Sequence, residues 1–127
     1  MNIRDLIRSK VEKHRQKTFL LYKDRNYTYE EMDLLTNRVA NAFSSLEIGK
    51  GDKVAIMLNN CPEFLLIWFG LAKLGAVEVL VNTRLSGPFL KAQLATGNST
   101  VAVIGTQFRD SFMAVRPQLK DLKHIVF

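Results

Sequence analysis

One cysteine, one tryptophan and three prolines are all that this 127-residue chain holds of those residue types. The lone thiol, Cys61, cannot form an internal disulfide, which excludes a disulfide-stapled scaffold and makes a cytoplasmic location the simpler expectation. No apolar run is long enough to cross a bilayer: the longest of note, Phe64 to Ala72, is bracketed by Glu63 and Lys73. Arg4, Asp5 and Glu12 interrupt the N-terminus, so a continuous signal-peptide core is missing. His14 and His124 lie far apart and lack metal-ligand spacing. The chain has no Ser/Thr- and Gly-rich run with a lysine, and so no loop to cradle a triphosphate. Internal repeats and low-complexity linkers are absent too.

What is present is an ordinary globular balance, 47% hydrophobic and 24% charged, in a length that fits one domain or subdomain. The net charge is +6, and the basic residues crowd the start: Arg4, Arg8, Lys10, Lys13, Arg15 and Lys17. Ile3, Leu6, Ile7 and Val11 recur there at helical spacing. The expected element is a surface helix that packs its apolar face and solvates its charges. Peripheral membrane contact is the competing use of such a face. No aromatic-interleaved basic motif or zinc pattern supports nucleic acid, and none is expected as a partner.

Thr18 to Tyr22 reads as a strand, Lys23 to Asn26 as a turn built on Asp and Asn, and Tyr27 to Tyr29 as a short returning strand. Thr28 and Glu31 have the spacing of a capping box. The helix they open carries a stripe of Met32, Leu35, Val39, Ala42, Phe43 and Leu46, ended by Gly49 and Gly51. Lys53 to Leu58 reads as a buried strand. Pro62 suits the first turn of a helix running to Leu74, apolar almost all round and so expected to be buried on more than one side, with Gly75 as its stop. Val77 to Val81 is expected to be another buried strand. A helix from Ser86-Gly87-Pro88 to about Thr96, a strand Val101 to Ile104, a helix near Gln107 to Leu119 broken at Pro117, and a strand from His124 complete the reading. The fold class is therefore α/β: an N-terminal hairpin, then alternating helices and a largely parallel sheet. The last strand-like segment has no cap or polar tail, so 1–127 is expected to be a single partial domain.

Most chemically suggestive residues have simpler readings. Gly49-x-Gly51 lacks a third glycine, and Asp52 would repel phosphate, so a turn is expected. Glu30, Glu31 and Asp33 sit where carboxylates favour a helix start. Cys61 adjoins a helix N-terminus that could lower its pKa, yet beside an apolar helix it reads as a small hydrophobe. No catalytic and no metal-ligating residue is assigned.

Tyr27-Thr28-Tyr29-Glu30-Glu31-Met32 resembles the first core motif of the adenylate-forming superfamily, and Leu71 to Val79, continuing through Val81-Asn82-Thr83-Arg84-Leu85, resembles the second. Gly49 to Ala55 and Asn60 to Phe64 match phrases common in its acyl-CoA synthetase branch. Four phrases in order make the signal specific. The branch members it is similar to are fatty-acyl-CoA ligases and crotonobetaine/carnitine-CoA ligases, and both remain open. Leu80 stands where relatives often carry proline, and Phe89 where an acidic residue is usual.

The resemblance implies the N-terminal portion of the large domain of an enzyme. With ATP and Mg²⁺, that enzyme converts a carboxylic acid (a fatty acid or a carnitine-like acid) to acyl-AMP, then forms acyl-CoA. The phosphate loop, the magnesium-binding Glu and the catalytic Lys of that family lie beyond the residues present here. The 127 residues alone are therefore expected to be inactive, to bind no cofactor and to self-associate through surface left uncovered. Arg84 and Lys91 lie where related ligases approach the nucleotide end of CoA, and their cations suit its phosphates. Their competing reading is a solvated basic face. A short stand-alone interaction or membrane-surface module is the alternative function.

Overall fold

Asn2 caps the first helix, α1 (Ile3–His14), through its side-chain oxygen, which accepts from the Asp5 N–H at 2.9 Å. The computed structural model describes all residues from Met1 to Phe127. A hairpin of β1 (Thr18–Tyr22) and β2 (Arg25–Thr28) follows, paired antiparallel around a two-residue turn. Its left-handed residue is Lys23, at φ +54°, rather than the Asp or Asn expected from turn chemistry. β2 also starts earlier than expected and ends at Thr28, because Thr28 is committed as a helix cap. The Glu31 N–H donates to its hydroxyl at 3.2 Å, and Glu31 Oε2 accepts from the Thr28 N–H at 2.8 Å.

That box opens α2 (Tyr29–Ser45), whose buried residues are Met32, Thr36, Ala40 and Phe43. Of the expected stripe Met32 and Phe43 are buried and Leu35, Val39 and Leu46 half-buried, whereas Ala42 is exposed and Ala40 is buried in its stead. Thr36 escapes a hydropathy reading, but its hydroxyl donates to the Met32 carbonyl at 2.6 Å and so is buried without cost. The helix stops before Gly49: Glu47 turns into the left-handed region at φ +62° and donates to the Ser44 carbonyl. Gly51, at φ +84°, serves the turn into the next strand instead. α3 (Pro62–Leu74) has proline in its first turn and ends on Gly75 at φ +73°, as its punctuation predicts. Only Pro62, Gly70 and Leu71 are fully buried in it; Phe64, Trp68 and Phe69 are half-buried. Residues 1–49 and 61–75 make one compact unit.

Residues 50–60 and 76–127 make the other. Its parallel four-stranded sheet has the order β4-β3-β5-β6, from β3 (Lys53–Met57), β4 (Val77–Leu80), β5 (Val101–Ile104) and β6 (His124–Val126). β3 and β5 are buried almost throughout, as apolar central strands should be. β4 is not the buried strand its sequence suggests: Val77 and Leu80 are 44% and 47% exposed, because β4 lies at an edge. α4 (Gly87–Gly97) and α5 (Arg109–Val115) complete the unit, the latter flanked by 3₁₀ turns at Thr106–Phe108 and Arg116–Gln118, where Pro117 breaks the helix. Ala55, Met57, Ala102 and Ile104 meet Leu90, Leu94 and Phe112 in the core. Arg116 donates to the carbonyls of Leu119 and Leu122 at 3.2 and 3.1 Å, which fixes the approach to β6.

Candidate functional site

β3 is central, β4 lies on one side of it and β5 on the other, so the chain reverses its progress across the sheet at β3. Open parallel sheets bind ligands outside the carboxyl ends of their strands, near such a reversal. Three segments leave the sheet there: residues 58–60 after β3, 81–86 after β4 and 105–108 after β5. Val81 and Gly105 tie the last two to β3, their N–H groups donating to Ile56 and Met57 at 2.9 and 2.8 Å.

Arg84 lies in the segment after β4 and Lys91 in α4, both exposed. The segment is held by polar contacts that its apolar pattern does not announce. Asn82 Oδ1 accepts from the Arg84 N–H at 3.0 Å. Gln93 on α4 accepts from the Asn82 N–H at 3.0 Å and donates to the Leu80 carbonyl at 3.3 Å. Gln93 thus staples Leu80 and Asn82 to the helix that carries Lys91, and Asn82 in turn holds the Arg84 N–H. Sequence reading missed it, because a staple spanning eleven residues leaves no local signal. Neither cation forms an ion pair, so both charges remain available to an anion, and Phe89, 75% exposed, lies between them in sequence. No shared partner joins the two side chains.

The other chemically suggestive residues have structural occupations. Glu30 pairs with Arg15 and accepts from Gln16 Nε2 at 2.7 Å, and these bonds hold its carboxyl below the usual range. Glu31 completes the capping box, and Asp33 pairs with Lys73 at 2.6 Å. His14 stacks at a tilt on Tyr29, 5.8 Å between centroids, whereas His124 is exposed at the start of β6. Cys61 is the N-cap of α3 but makes no side-chain capping bond. Burial pushes its thiol up, against the lowering that a helix N-terminus alone would produce. No group of three or more His, Cys, Asp or Glu side chains comes together to hold a metal ion. No helix is long and apolar enough to cross a membrane.

Comparison with known proteins gives this geometry a family. Residues 7–126 match the AMP-binding enzyme family. The crotonobetaine/carnitine–CoA ligase of Salmonella paratyphi A is 38% identical over 120 residues, covering 91% of this chain and 23% of that protein. The ligase of the same name from Escherichia coli O1:K1 is 41% identical over 100 residues, 78% of this chain and 19% of that protein. A fatty acyl CoA synthetase of Mycobacterium tuberculosis superposes with a TM-score of 0.92 at 32% identity, covering 98% of this chain and 26% of that one. The chain therefore spans about a quarter of the length of such relatives or less. A stand-alone interaction or membrane-surface module finds no support in these matches. With 120 of its residues in register with the family and its sheet superposing on a solved member, this chain belongs to the AMP-binding enzymes, in the acyl-CoA ligase branch of the adenylate-forming superfamily.

Proposed function

We propose that these 127 residues are the opening portion of the large domain of an AMP-forming acid–CoA ligase. The whole enzyme activates a carboxylic acid with ATP and Mg²⁺ to acyl-AMP and passes the acyl group to the CoA thiol. This portion supplies scaffold and the carboxyl edge of one sheet. Its residues do not suit ATP–Mg²⁺, since they include neither a phosphate loop nor an acidic cluster. They do suit the phosphates at the nucleotide end of CoA, which Arg84 and Lys91 would hold by charge-assisted hydrogen bonds. The observation that carries this assignment is the exposed, unpaired Arg84 in a stapled segment at the carboxyl end of β4. The acid is either a fatty acid or a carnitine-like acid, since the relatives include both a fatty acyl CoA synthetase and crotonobetaine/carnitine–CoA ligases.

The test uses a protein carrying these residues together with the rest of the ligase. Arg84→Ala and Lys91→Ala should each raise the apparent KM for CoA while ATP–pyrophosphate exchange stays near the parent rate. One lost charge-assisted contact costs about 1.5–3 kcal/mol before solvent screening, and exposure brings the effect toward the lower end. Unchanged CoA dependence in both variants refutes the assignment. The 127-residue chain alone should give no exchange above the blank.

A further inference from the structure

Gln93 is half-buried on α4, and its amide is committed at both ends to the backbone of another segment. Oε1 accepts from the Asn82 N–H at 3.0 Å, and Nε2 donates to the Leu80 carbonyl at 3.3 Å. A primary amide offers a donor and an acceptor side by side, as this pair of backbone groups requires. Leu80 ends the edge strand β4, and Val81 is tied to β3 by the bond its N–H donates to Ile56. Past Val81 the bonds are local: the Arg84 N–H donates to Asn82 Oδ1 at 3.0 Å, and the Leu85 N–H to the Asn82 carbonyl at 3.2 Å. Asn82 is therefore the node of the turn that carries Arg84, and Gln93 bonds that node to a helix. The Arg84 guanidinium is exposed and in no ion pair, so its placement depends on the turn beneath it.

We infer that Gln93 is a positioning residue for the CoA step. By fixing the Asn82 turn it presents Arg84 to the CoA phosphates already ordered, so that less freedom is lost on binding. This role rests on the reading that assigns Arg84 to those phosphates. Lys91 needs no such support, because α4 itself carries it. The two cations therefore differ in their dependence on Gln93.

Gln93→Met keeps the length and the helix propensity of the side chain and removes both bonds. In a protein that joins these residues to the rest of the ligase, it should raise the apparent KM for CoA by about fivefold, the worth of one net hydrogen bond, at little change in kcat. ATP–pyrophosphate exchange, which needs no CoA, checks that the variant folds, and Gln93→Ala is a second variant with the same expectation. On an Arg84→Ala background Gln93→Met should leave the CoA KM where Arg84→Ala alone puts it, whereas on a Lys91→Ala background it should still raise it. A raised KM in Arg84→Ala with the parent value in both Gln93 variants overturns the positioning role and leaves the CoA assignment standing. An unchanged KM in Arg84→Ala overturns both. An effect of Gln93→Met that multiplies with that of Arg84→Ala, or that lowers kcat and exchange together, marks a merely structural residue and also overturns the role.

Discussion

Lys73 Nζ on α3 lies 2.6 Å from Asp33 Oδ1 on α2, and the same ammonium donates to Asn37 Oδ1 at 2.7 Å and to the Asp33 carbonyl at 3.2 Å. Its side chain is only 12% exposed, so this is a locked cross-helix contact rather than a solvated surface pair. Lys73→Met keeps the aliphatic stem, removes all three donors and leaves Asp33 without its cation. A loss of about 1–3 kcal/mol is expected, read as a lower urea midpoint at unchanged slope. Stability equal to the parent would show that the contact contributes nothing net.

Gly70 sets how closely those two helices approach. A Cβ built there would lie 2.5 Å from Val39 Cγ1 and 3.2 Å from the Thr36 carbonyl oxygen. Gly70→Ala should cost about 1–3 kcal/mol by overpacking, despite the better helix propensity of alanine. Val39→Ala removes the clashing methyl, so the double variant should recover part of the loss. A strictly additive double-mutant cycle would argue against steric conflict.

Glu78 and Glu30 should respond to pH in opposite senses. Burial raises the Glu78 carboxyl, whose Oε1 is buried without a hydrogen-bond partner. A folded pKa above the unfolded one adds stability below the unfolded value, and that stability is lost as pH rises through the folded value. Glu78→Gln removes this loss, so its stability relative to the parent should improve from pH 4 to pH 7. Glu30 is lowered by Arg15 and Gln16, so its contribution is present above the unfolded pKa and lost on acidification through the folded one. Glu30→Gln should therefore do most harm at neutral pH. Urea midpoints at the two pH values measure both, and parallel pH profiles in the two variants would contradict the assignments.

Self-association is expected from the sheet edges. Val77 and Leu80 on β4 are exposed, as are Val126 at the end of β6 and Phe127 just beyond it, and strand edges carry backbone groups that another chain can pair. The half-buried Phe64, Trp68 and Phe69 contribute less than their sequence suggests. Light scattering over a dilution series should show a mass above the monomer that falls on dilution. A monomer at every concentration would mean that both edges are protected.

The signals that were legible in the sequence all act within about one helical turn or one strand. The Thr28–Glu31 box, Pro62 at a helix start, Gly75 at its end, the break at Pro117 and the unbroken apolar runs of β3 and β5 each dictate backbone locally, and each element stands where they place it. The same holds for the placement of Arg84 in a segment after a strand. What needed tertiary structure depends on which elements become neighbours. Val77–Leu80 sets three apolar residues around Glu78 and reads as a buried strand, and only the sheet order makes it an edge. Lys73 and Asp33 are forty residues apart, and Gly70 matters only because α2 brings Val39 against it. Gln93 staples a segment eleven residues away. Local backbone chemistry is written residue by residue, whereas edges and ion pairs arise only when separate stretches of chain are packed together.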